Sequence, residues 1–189
     1  MTDIRPMTRA DLRDVVSVHR AAFPNFFLSF LGPAFLRVFY GFVASEGIAL
    51  VAVVDGRIAG FVAGVHDSRS FYRRLLRRRF VQVALALVPA TLRRPSTIVR
   101  VARRARQRTA DGPIHAGAEL MSLAVDPEKR QQGIGRALIE AFAARAGSLW
   151  LTTDAEDNDA VIRFYENLGF TRGRGYTTAE GRALLELSR

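Results

Sequence analysis

The chain has 189 residues, no cysteine and only three histidines. Without cysteine there is no disulfide framework, no thiolate metal site and no acyl-cysteine intermediate, so covalent ping-pong chemistry through sulfur is excluded. The histidines, His19, His66 and His115, do not stand at ligand spacing. We expect them to be ordinary residues, and the sequence predicts no metal site.

The sequence also has few long apolar runs. Its first twelve residues are charged and polar and lack the apolar core of a secretory signal. The apolar run over residues 80–92 is too short to cross a bilayer. With 49% hydrophobic residues, the chain can bury one good core. We therefore expect a single cytoplasmic domain over residues 1–189.

Acidic residues are scarce in one segment, residues 66–115. Thirteen arginines stand there against Asp67 and Asp111, a net charge of +11. The rest of the chain has fifteen basic and sixteen acidic residues, a net charge of −1. The positive excess of the whole chain, +10, therefore lies in this Arg-rich insertion.

Apolar residues of the Arg-rich insertion recur at helical spacing, with arginines on the opposite face. The pattern predicts two basic amphipathic helices, separated by a break between Pro89 and Pro95. The first apolar face is expected to comprise Tyr72, Leu76, Phe80, Val83 and Leu87, and the second Ile98, Val101, Ala102 and Ala105.

Four uses of the insertion stay open at this point. Its apolar faces cover the domain itself or a partner subunit in a homodimer, with the arginines solvated. Alternatively, the helices lie on an anionic membrane surface, at roughly 1 kcal/mol for each basic residue, which would make the protein peripheral at the membrane. A third use is attraction of a negatively charged acceptor, such as a nucleotide-linked or lipid-linked amino sugar. Nucleic acid is disfavoured, because base-stacking aromatic residues are not interleaved with the arginines.

The most informative stretch is residues 123–138, in which an apolar strand, a proline turn and a glycine-bearing loop lead into an amphipathic helix. Gly133 and Gly135 carry no Cβ and let an anion approach the backbone. The unpaired N–H groups of a first helical turn and the helix dipole attract negative charge by about 0.3–1 kcal/mol. Arg130 and Arg136 flank the loop. This stretch predicts a phosphate-binding site.

A second pattern follows about thirty residues later, at residues 158–170. Asn158 is a good N-cap residue, and Gly169 suits the position just beyond a helix end. Between them, apolar residues share one face at spacings of three and four. The pattern predicts a short capped helix that leads into a strand.

With both patterns in this order, the sequence resembles the GCN5-related N-acetyltransferase (GNAT) superfamily. The family's cofactor loop, Q/R-x-x-G-x-G/A, is matched from Arg130 to Gly135. Its later segment, a Phe-Tyr pair and Leu-Gly-Phe, is matched from Phe164 to Phe170. The resemblance is clearest from Glu119 to Tyr176. It implies an α/β GNAT fold with a mixed central sheet flanked by helices, here with a basic helical insertion between the third and fourth strands.

The resemblance implies acetyl-CoA as co-substrate. The strand residues that would contact its pantetheine arm are Leu123, Ala124 and Val125, and one of their N–H groups would polarise the thioester carbonyl. The residues that would hold the pyrophosphate are Arg130, Gln131, Gln132, Gly133, Ile134 and Gly135, with Arg136 nearby. Asn158 would bond the pantetheine. Tyr165 would be the general acid for the departing CoA thiolate, with simple packing on the helix's apolar face as the alternative.

The acceptor amine must be neutral before it attacks, so a base or a water path to one is expected. Glu119, near the start of the same strand, is the best-placed carboxylate. The alternative is a solvent-facing or salt-bridged strand end. For a lysine-like amine, reaching the neutral form at pH 7 costs about 4–5 kcal/mol.

The joint between the first two predicted helices, residues 23–30, is rich in phenylalanine. In the GNAT fold this joint commonly walls the acceptor pocket, so Phe26, Phe27 and Phe30 would favour an apolar or ring-shaped acceptor. Simple core packing against the sheet is the alternative, and it is the one that we favour for the joint. We interpret the acidic residues around Asn158 as favourable charges at a helix start.

Periodicity and turn signals give the order of elements. The expected elements are a strand at 4–7, a helix at 9–23 capped by Thr8, a helix from Gly32-Pro33 to about 45, a hairpin of strands 48–54 and 58–65, a strand at 118–125, a helix at 134–146, a strand at 149–153, a helix at 158–168, and strands at 170–176 and 183–187.

The resemblance implies an acetyl-CoA-dependent N-acetyltransferase that moves the acetyl group by direct attack of a primary amine in a ternary complex. An amino sugar, or its nucleotide or lipid conjugate, is the expected acceptor. A protein or peptide acetyltransferase is the alternative enzyme. A GNAT module without catalysis, which senses acyl-CoA or docks on a membrane, is the alternative from another class.

Overall fold

The computed structural model describes residues 2–93, 117–178 and 181–189. One mixed sheet carries the helices on its two faces, which confirms the predicted fold class. In chain order the elements are β1 (Asp3–Pro6), α1 (Leu12–Ala22), α2 (Phe27–Phe30), α3 (Gly32–Glu46), β2 (Ile48–Val54), β3 (Arg57–Val65), α4 (Ser68–Arg93), β4 (Ala118–Val125), α5 (Ile134–Ala146), β5 (Leu149–Asp154), α6 (Asp159–Glu166), β6 (Thr171–Thr177) and β7 (Ala183–Ser188).

The strand order across the sheet is β1-β2-β3-β4-β5-β7-β6. Neighbouring strands run antiparallel except β4 and β5, which are parallel. Between β3 and β4 the register shifts at Ala63, which pairs with Ser122, while Gly64 pairs with Leu120. Met121 is therefore the extra residue of a β-bulge in the middle of β4.

Two hydrophobic cores lie on opposite faces of the sheet. On one face, α1, α3 and α4 bury an aromatic cluster that includes Phe39, Tyr40, Phe61 and Phe71. On the other face, α5 and α6 pack apolar residues against β2, β3, β4, β5 and β7, and Phe142 of α5 lies against Gly64 of β3. Every second side chain of a strand turns to the same face, so β4 contributes to both cores.

The start of α1 differs from the expectation. The helix begins at Leu12 rather than Arg9, and Thr8 is not its N-cap residue. Instead, Thr8 donates from its backbone N and from Oγ1 to Asp11 Oδ2, both at 2.7 Å. Arg5 makes a two-bonded ion pair with the same buried carboxylate. This hydrogen-bonded turn delays the helix by three residues and holds the pKa of Asp11 well below its usual range, chiefly through Arg5.

The first helix of the Arg-rich insertion is present as α4, and its predicted apolar face is right only in part. The helix runs through Pro89, and its non-helical residue is Arg79, with φ −126° and ψ 16°. Of the predicted face, Val83 is buried and Tyr72 and Leu87 pack against the core, but Leu76 and Phe80 are exposed. The residues that α4 buries are Phe71, Leu75, Val83, Ala86 and Ala90. The predicted second helix lies outside the described residues.

Ion pairs fasten α4 to α3. Glu46, at the end of α3, pairs with Arg74 at 3.0 Å and with Arg78 at 2.7 Å. Two of the arginines predicted to be solvated therefore hold the insertion against the domain. Among the described helices, none is both long and apolar enough to span a membrane.

Candidate active site

A wedge opens between β4 and β5. The two strands pair only at their first residues, Ala118 with Leu149 and Glu119 with Trp150. Along its other edge, β5 pairs with β7 from Trp150 to Asp154. The edge of β4 that faces β5 thus offers backbone groups without a strand partner among the described residues, and an extended ligand with amide groups can pair with such an edge.

Alternation along β4 tells which residues face the wedge. Asp126 N donates to Ala59 O of β3 at 2.8 Å. Because backbone groups point to alternate edges, the N–H groups of Leu123 and Val125 point toward the wedge, whereas that of Ala124 points toward β3. Of the three strand residues expected to contact the pantetheine arm, two thus have backbone groups in position for it.

The loop before α5 is shaped by left-handed backbone. Gln131 has φ +62° and Gly133 has φ +77°, and the helix begins directly afterwards at Ile134, whose side chain is buried and anchors this end. Arg130, Gln131, Gln132, Gly133 and Arg136 are exposed. Neither arginine forms an ion pair with a carboxylate of the described ranges. Arg130 and Arg136 thus place two available cations at the N-terminus of α5.

The two sequence motifs meet in space. A Cβ at position 135 would lie 3.3 Å from Cζ of Phe164 in α6, and 3.8 Å from Cγ2 of Val125 in β4. Gly135 therefore lets the start of α5 approach α6 closely, which differs from the role in anion access that the sequence suggested. A Cβ added at position 133 would meet no atom within 4 Å, so the backbone is open to approach there.

Asn158 occupies the predicted N-cap position but does not cap with its side chain. Its Nδ2 donates to Thr153 Oγ1 at 2.7 Å and to Asp154 O at 3.0 Å. The amide therefore fastens the start of α6 to the open end of β5, beside the wedge. At the other end of the helix, Gly169 has φ +83° and Phe170 N donates to Tyr165 O, as predicted for a glycine-ended helix.

Tyr165 is buried in the core on the α5 side of the sheet. Its ring packs edge-on against Phe164 and Phe170, with centroid distances of 5.1 and 5.3 Å. Burial raises the pKa of the Tyr165 phenol above its ordinary value. No hydrogen bond of its hydroxyl is found among the described residues, so the proton is available to a ligand.

Glu119 lies at the apex of the wedge, where the pairing of β4 with β5 ends. Its side chain is 5% exposed, so the alternative of a solvent-facing strand end is wrong. In the described ranges, no group of three His, Asp or Glu side chains that could hold a metal ion is found.

The phenylalanine joint is split between core and surface. Phe27 packs against the core, but Phe26 and Phe30 are 44% and 49% exposed, so core packing does not account for them. The guanidinium of Arg182 lies over the Phe26 ring, 5.6 Å from its centroid. The same guanidinium makes a two-bonded ion pair with Asp154 at the open end of β5.

Arg182 therefore links the Phe26 joint to the mouth of the wedge. Sequence reasoning missed this residue and interpreted Asp154 as a helix-start charge, because no local pattern relates a hairpin arginine to a joint more than 150 positions earlier. The contact with Arg182 places Phe26 beside the mouth of the wedge, whereas Phe27 packs against the core.

A buried polar chain also escaped prediction. Tyr40 of α3 hydrogen-bonds His19 Nδ1 of α1 at 2.7 Å and Ser122 Oγ of β4 at 3.0 Å. All three residues are at most 8% exposed. The available signal was the position of His19 on the apolar stripe of α1, where a polar side chain needs a partner.

Comparison with known proteins agrees with this geometry. A family model described as an acetyltransferase (GNAT) domain matches residues 96–172. The crystal structure of the ribosomal-protein-S18-alanine N-acetyltransferase from Escherichia coli aligns with 100% of this chain and 92% of its own, with a TM-score of 0.60 and 20% identity. Residues 96–172 thus match a GNAT acetyltransferase domain, and the chain has the GNAT fold. At that identity, the structural likeness speaks for the GNAT fold alone.

Two curated proteins share local sequence with this chain. The bS18-alanine N-acetyltransferase of Escherichia coli K12 is 40% identical over 74 residues, which are 34% of this chain and 49% of the relative. A mycothiol acetyltransferase of Thermobispora bispora is 47% identical over 68 residues, which are 33% of this chain and 22% of the relative. The chain thus spans about half of the first relative and about a fifth of the second.

Proposed function

We propose that this GNAT protein transfers the acetyl group of acetyl-CoA to a primary amine by direct attack in a ternary complex. The observation that carries the proposal is the close approach of Gly135, at the start of α5, to Phe164, the chain neighbour of Tyr165, beside the unpaired edge of β4. This approach supports a single cleft that is served by a helix start for phosphate and by a buried phenol.

The donor side follows from the backbone. The exposed N–H groups of the first turn of α5, with Arg130 and Arg136, hold the pyrophosphate. Charge-assisted hydrogen bonds of this kind contribute about 1.5–3 kcal/mol each. The pantetheine arm pairs with the edge of β4 at Leu123 and Val125, and Asn158 holds it from the side of β5.

Two proton transfers complete the reaction. Glu119, at the apex of the wedge, takes the proton of the attacking ammonium group, directly or through water. The amine nitrogen then forms its bond to the acetyl carbon, the carbon–sulfur bond breaks, and Tyr165 gives its proton to the departing thiolate. Burial keeps Tyr165 protonated at neutral pH, as a general acid requires.

The acceptor wall favours a ring-shaped or anionic amine, such as an amino sugar or its nucleotide conjugate. Phe26 offers an exposed ring, and Arg182 adds a cation at the mouth of the wedge. The competing acceptor is a peptide amine, which is the kind of acceptor named for the Escherichia coli relative.

A panel of amines, assayed for CoA release with a thiol reagent, tests the proposal. The chain has no cysteine, so the reagent detects only the released CoA thiol. Amino sugars, their nucleotide conjugates, polyamines and peptides with N-terminal alanine form the panel. We expect release above acetyl-CoA hydrolysis with at least one amine, and mass spectrometry should find the acetylated product. Release with none of them, while acetyl-CoA still binds, would favour the sensor function.

A second function, docking on an anionic membrane surface, is favoured by the exposed face of α4. Beyond the kink, the exposed apolar residues follow one helical stripe: Val81, Leu85, Val88 and Leu92. The helix has no acidic residue, and its first half carries six arginines. Apolar side chains beside cations suit an interface with anionic lipid, where burial of each large apolar side chain contributes about 1.5–3 kcal/mol.

Sedimentation with vesicles tests the docking function. We expect the wild-type protein to bind phosphatidylglycerol vesicles but not phosphatidylcholine vesicles, and the substitution Leu85→Asp to abolish binding. Val161→Asp is the matched control, because Val161 is an exposed apolar residue on α6, at 40%. Equal loss in both variants, or equal binding to both lipids, would contradict docking through α4.

A further inference from the structure

The buried chain of His19, Tyr40 and Ser122 has one end without a partner. Nε2 of His19 is buried and makes no hydrogen bond to any described residue. Aromatic rings of Phe23, Tyr40 and Phe61 lie within 6.4 Å of the imidazole ring centroid. The position of the imidazole proton therefore decides the direction of the hydrogen bonds that join His19, Tyr40 and Ser122.

Burial lowers the pKa of His19 to about 4, so the imidazole is neutral and carries one proton. A proton on Nε2 would leave a buried N–H donor unsatisfied, which structures rarely tolerate, whereas an unsatisfied acceptor is less unfavourable. The proton thus belongs on Nδ1, which donates to the Tyr40 oxygen. Tyr40 in turn donates its own proton to Ser122 Oγ, in the direction that the 3.0 Å bond allows.

The direction of these bonds leaves the Ser122 hydroxyl proton for another acceptor. Ser122 follows the bulged Met121 and precedes Leu123, whose N–H points into the wedge. Within one dipeptide, a serine Oγ and the next backbone N lie about 3–4 Å apart. The two donors can therefore reach one oxygen atom.

We propose that Ser122 is an oxyanion donor for acetyl transfer, and that Tyr40 and His19 are positioning residues that act through it. The ligand group is the thioester carbonyl oxygen of acetyl-CoA, next to the Leu123 N–H. Negative charge grows on this oxygen as the amine attacks, so a pre-oriented hydroxyl stabilises the transition state more than the ground state. This inference rests on the proposed function.

A double-mutant cycle tests the inference. We expect Ser122→Ala to lower kcat about tenfold or more, with less than about a twofold change in the KM for acetyl-CoA. Tyr40→Phe should lower kcat in the same way, and the double variant should match Ser122→Ala, because Tyr40 acts through Ser122. His19→Asn keeps an N–H donor near the Nδ1 position and should retain kcat better than His19→Leu. Ser45→Ala is the control, since that hydroxyl only bonds Phe42 O within α3.

NMR spectroscopy of His19 tests the inference without a measurement of turnover. Nitrogen NMR shifts of His19 in the free protein should show a neutral Nδ1–H tautomer from pH 5.5 to 8, and Tyr40→Phe should disturb it. An Nε2–H tautomer, independent kcat losses that multiply in the double variant, or an unchanged kcat in Ser122→Ala would each overturn the inference. An Nδ1–H tautomer in a protein that acetylates no amine would refute the proposed function and uphold the hydroxyl orientation.

Discussion

Gly135 and Phe164 lie so close that a single added methyl group at position 135 would come within 3.3 Å of the phenylalanine ring. They belong to the two motifs that carry the family resemblance, and the contact joins the start of α5 to the helix of Tyr165. The contact thereby fixes the distance between the start of α5 and the helix that carries Tyr165.

Gly135→Ala should therefore separate stability from donor binding. Alanine favours the helix by about 1 kcal/mol over glycine, which offsets the tight contact, so the free energy of unfolding should change little. The KM for acetyl-CoA should rise about tenfold as α5 and α6 move apart. Phe164→Leu added to Gly135→Ala frees space and should recover much of the KM. A single variant with the wild-type KM would show that the contact does not set the loop.

Tyr165→Phe should reduce kcat by roughly 10²–10⁴, the usual contribution of a positioned general acid. Stability should hardly change, because the hydroxyl makes no hydrogen bond to the described residues. Rapid-quench kinetics with the accepted amine is the measurement, and Tyr176→Phe on β6, an exposed tyrosine, is the control. An unaltered kcat would mean that Tyr165 only packs in the core and is not the general acid.

His19 should make the protein less stable in mild acid. Its pKa is about 4 in the folded protein and about 6.5 in the unfolded chain, so between these values the unfolded chain binds more protons. The stability due to neutral His19 is complete above about pH 6.5 and declines as the pH falls toward 4, by on the order of 3 kcal/mol. Urea unfolding of wild type and His19→Asn across this range checks the prediction. Parallel curves for both proteins would contradict it.

Arg182→Gln should raise the KM for the acceptor but change the free energy of unfolding little. The Asp154 pair is partly exposed, and such pairs contribute about 0–1 kcal/mol to stability. Loss of the cation over Phe26 should nevertheless raise the KM for the acceptor several-fold and leave that for acetyl-CoA unchanged. Arg172→Gln, which breaks the exposed pair with Glu166, is the matched control on the neighbouring strand. Equal effects of the two variants would remove Arg182 from the acceptor site.

Local signals predicted much of the fold. The Asp55-Gly56 turn, the proline stop at Pro127 and the left-handed glycines at 133 and 169 act through their own backbone preferences, and these elements lie where the sequence placed them. The failures have tertiary causes. α4 is kinked at Arg79, a residue with no turn signal, and the Asn158 side chain bonds β5 instead of capping its helix because Thr153 lies within reach.

The sequence by itself determined the order of strands and helices, the two motifs and the absence of sulfur chemistry, because these depend on residue type and on short spacings. Only the tertiary structure decided that the strands part after Glu119, that Arg182 reaches Phe26, and that His19, Tyr40 and Ser122 form one buried chain. Each of these depends on side chains far apart in sequence. Their approach is set by how helices pack on the two faces of one sheet, which no local pattern encodes.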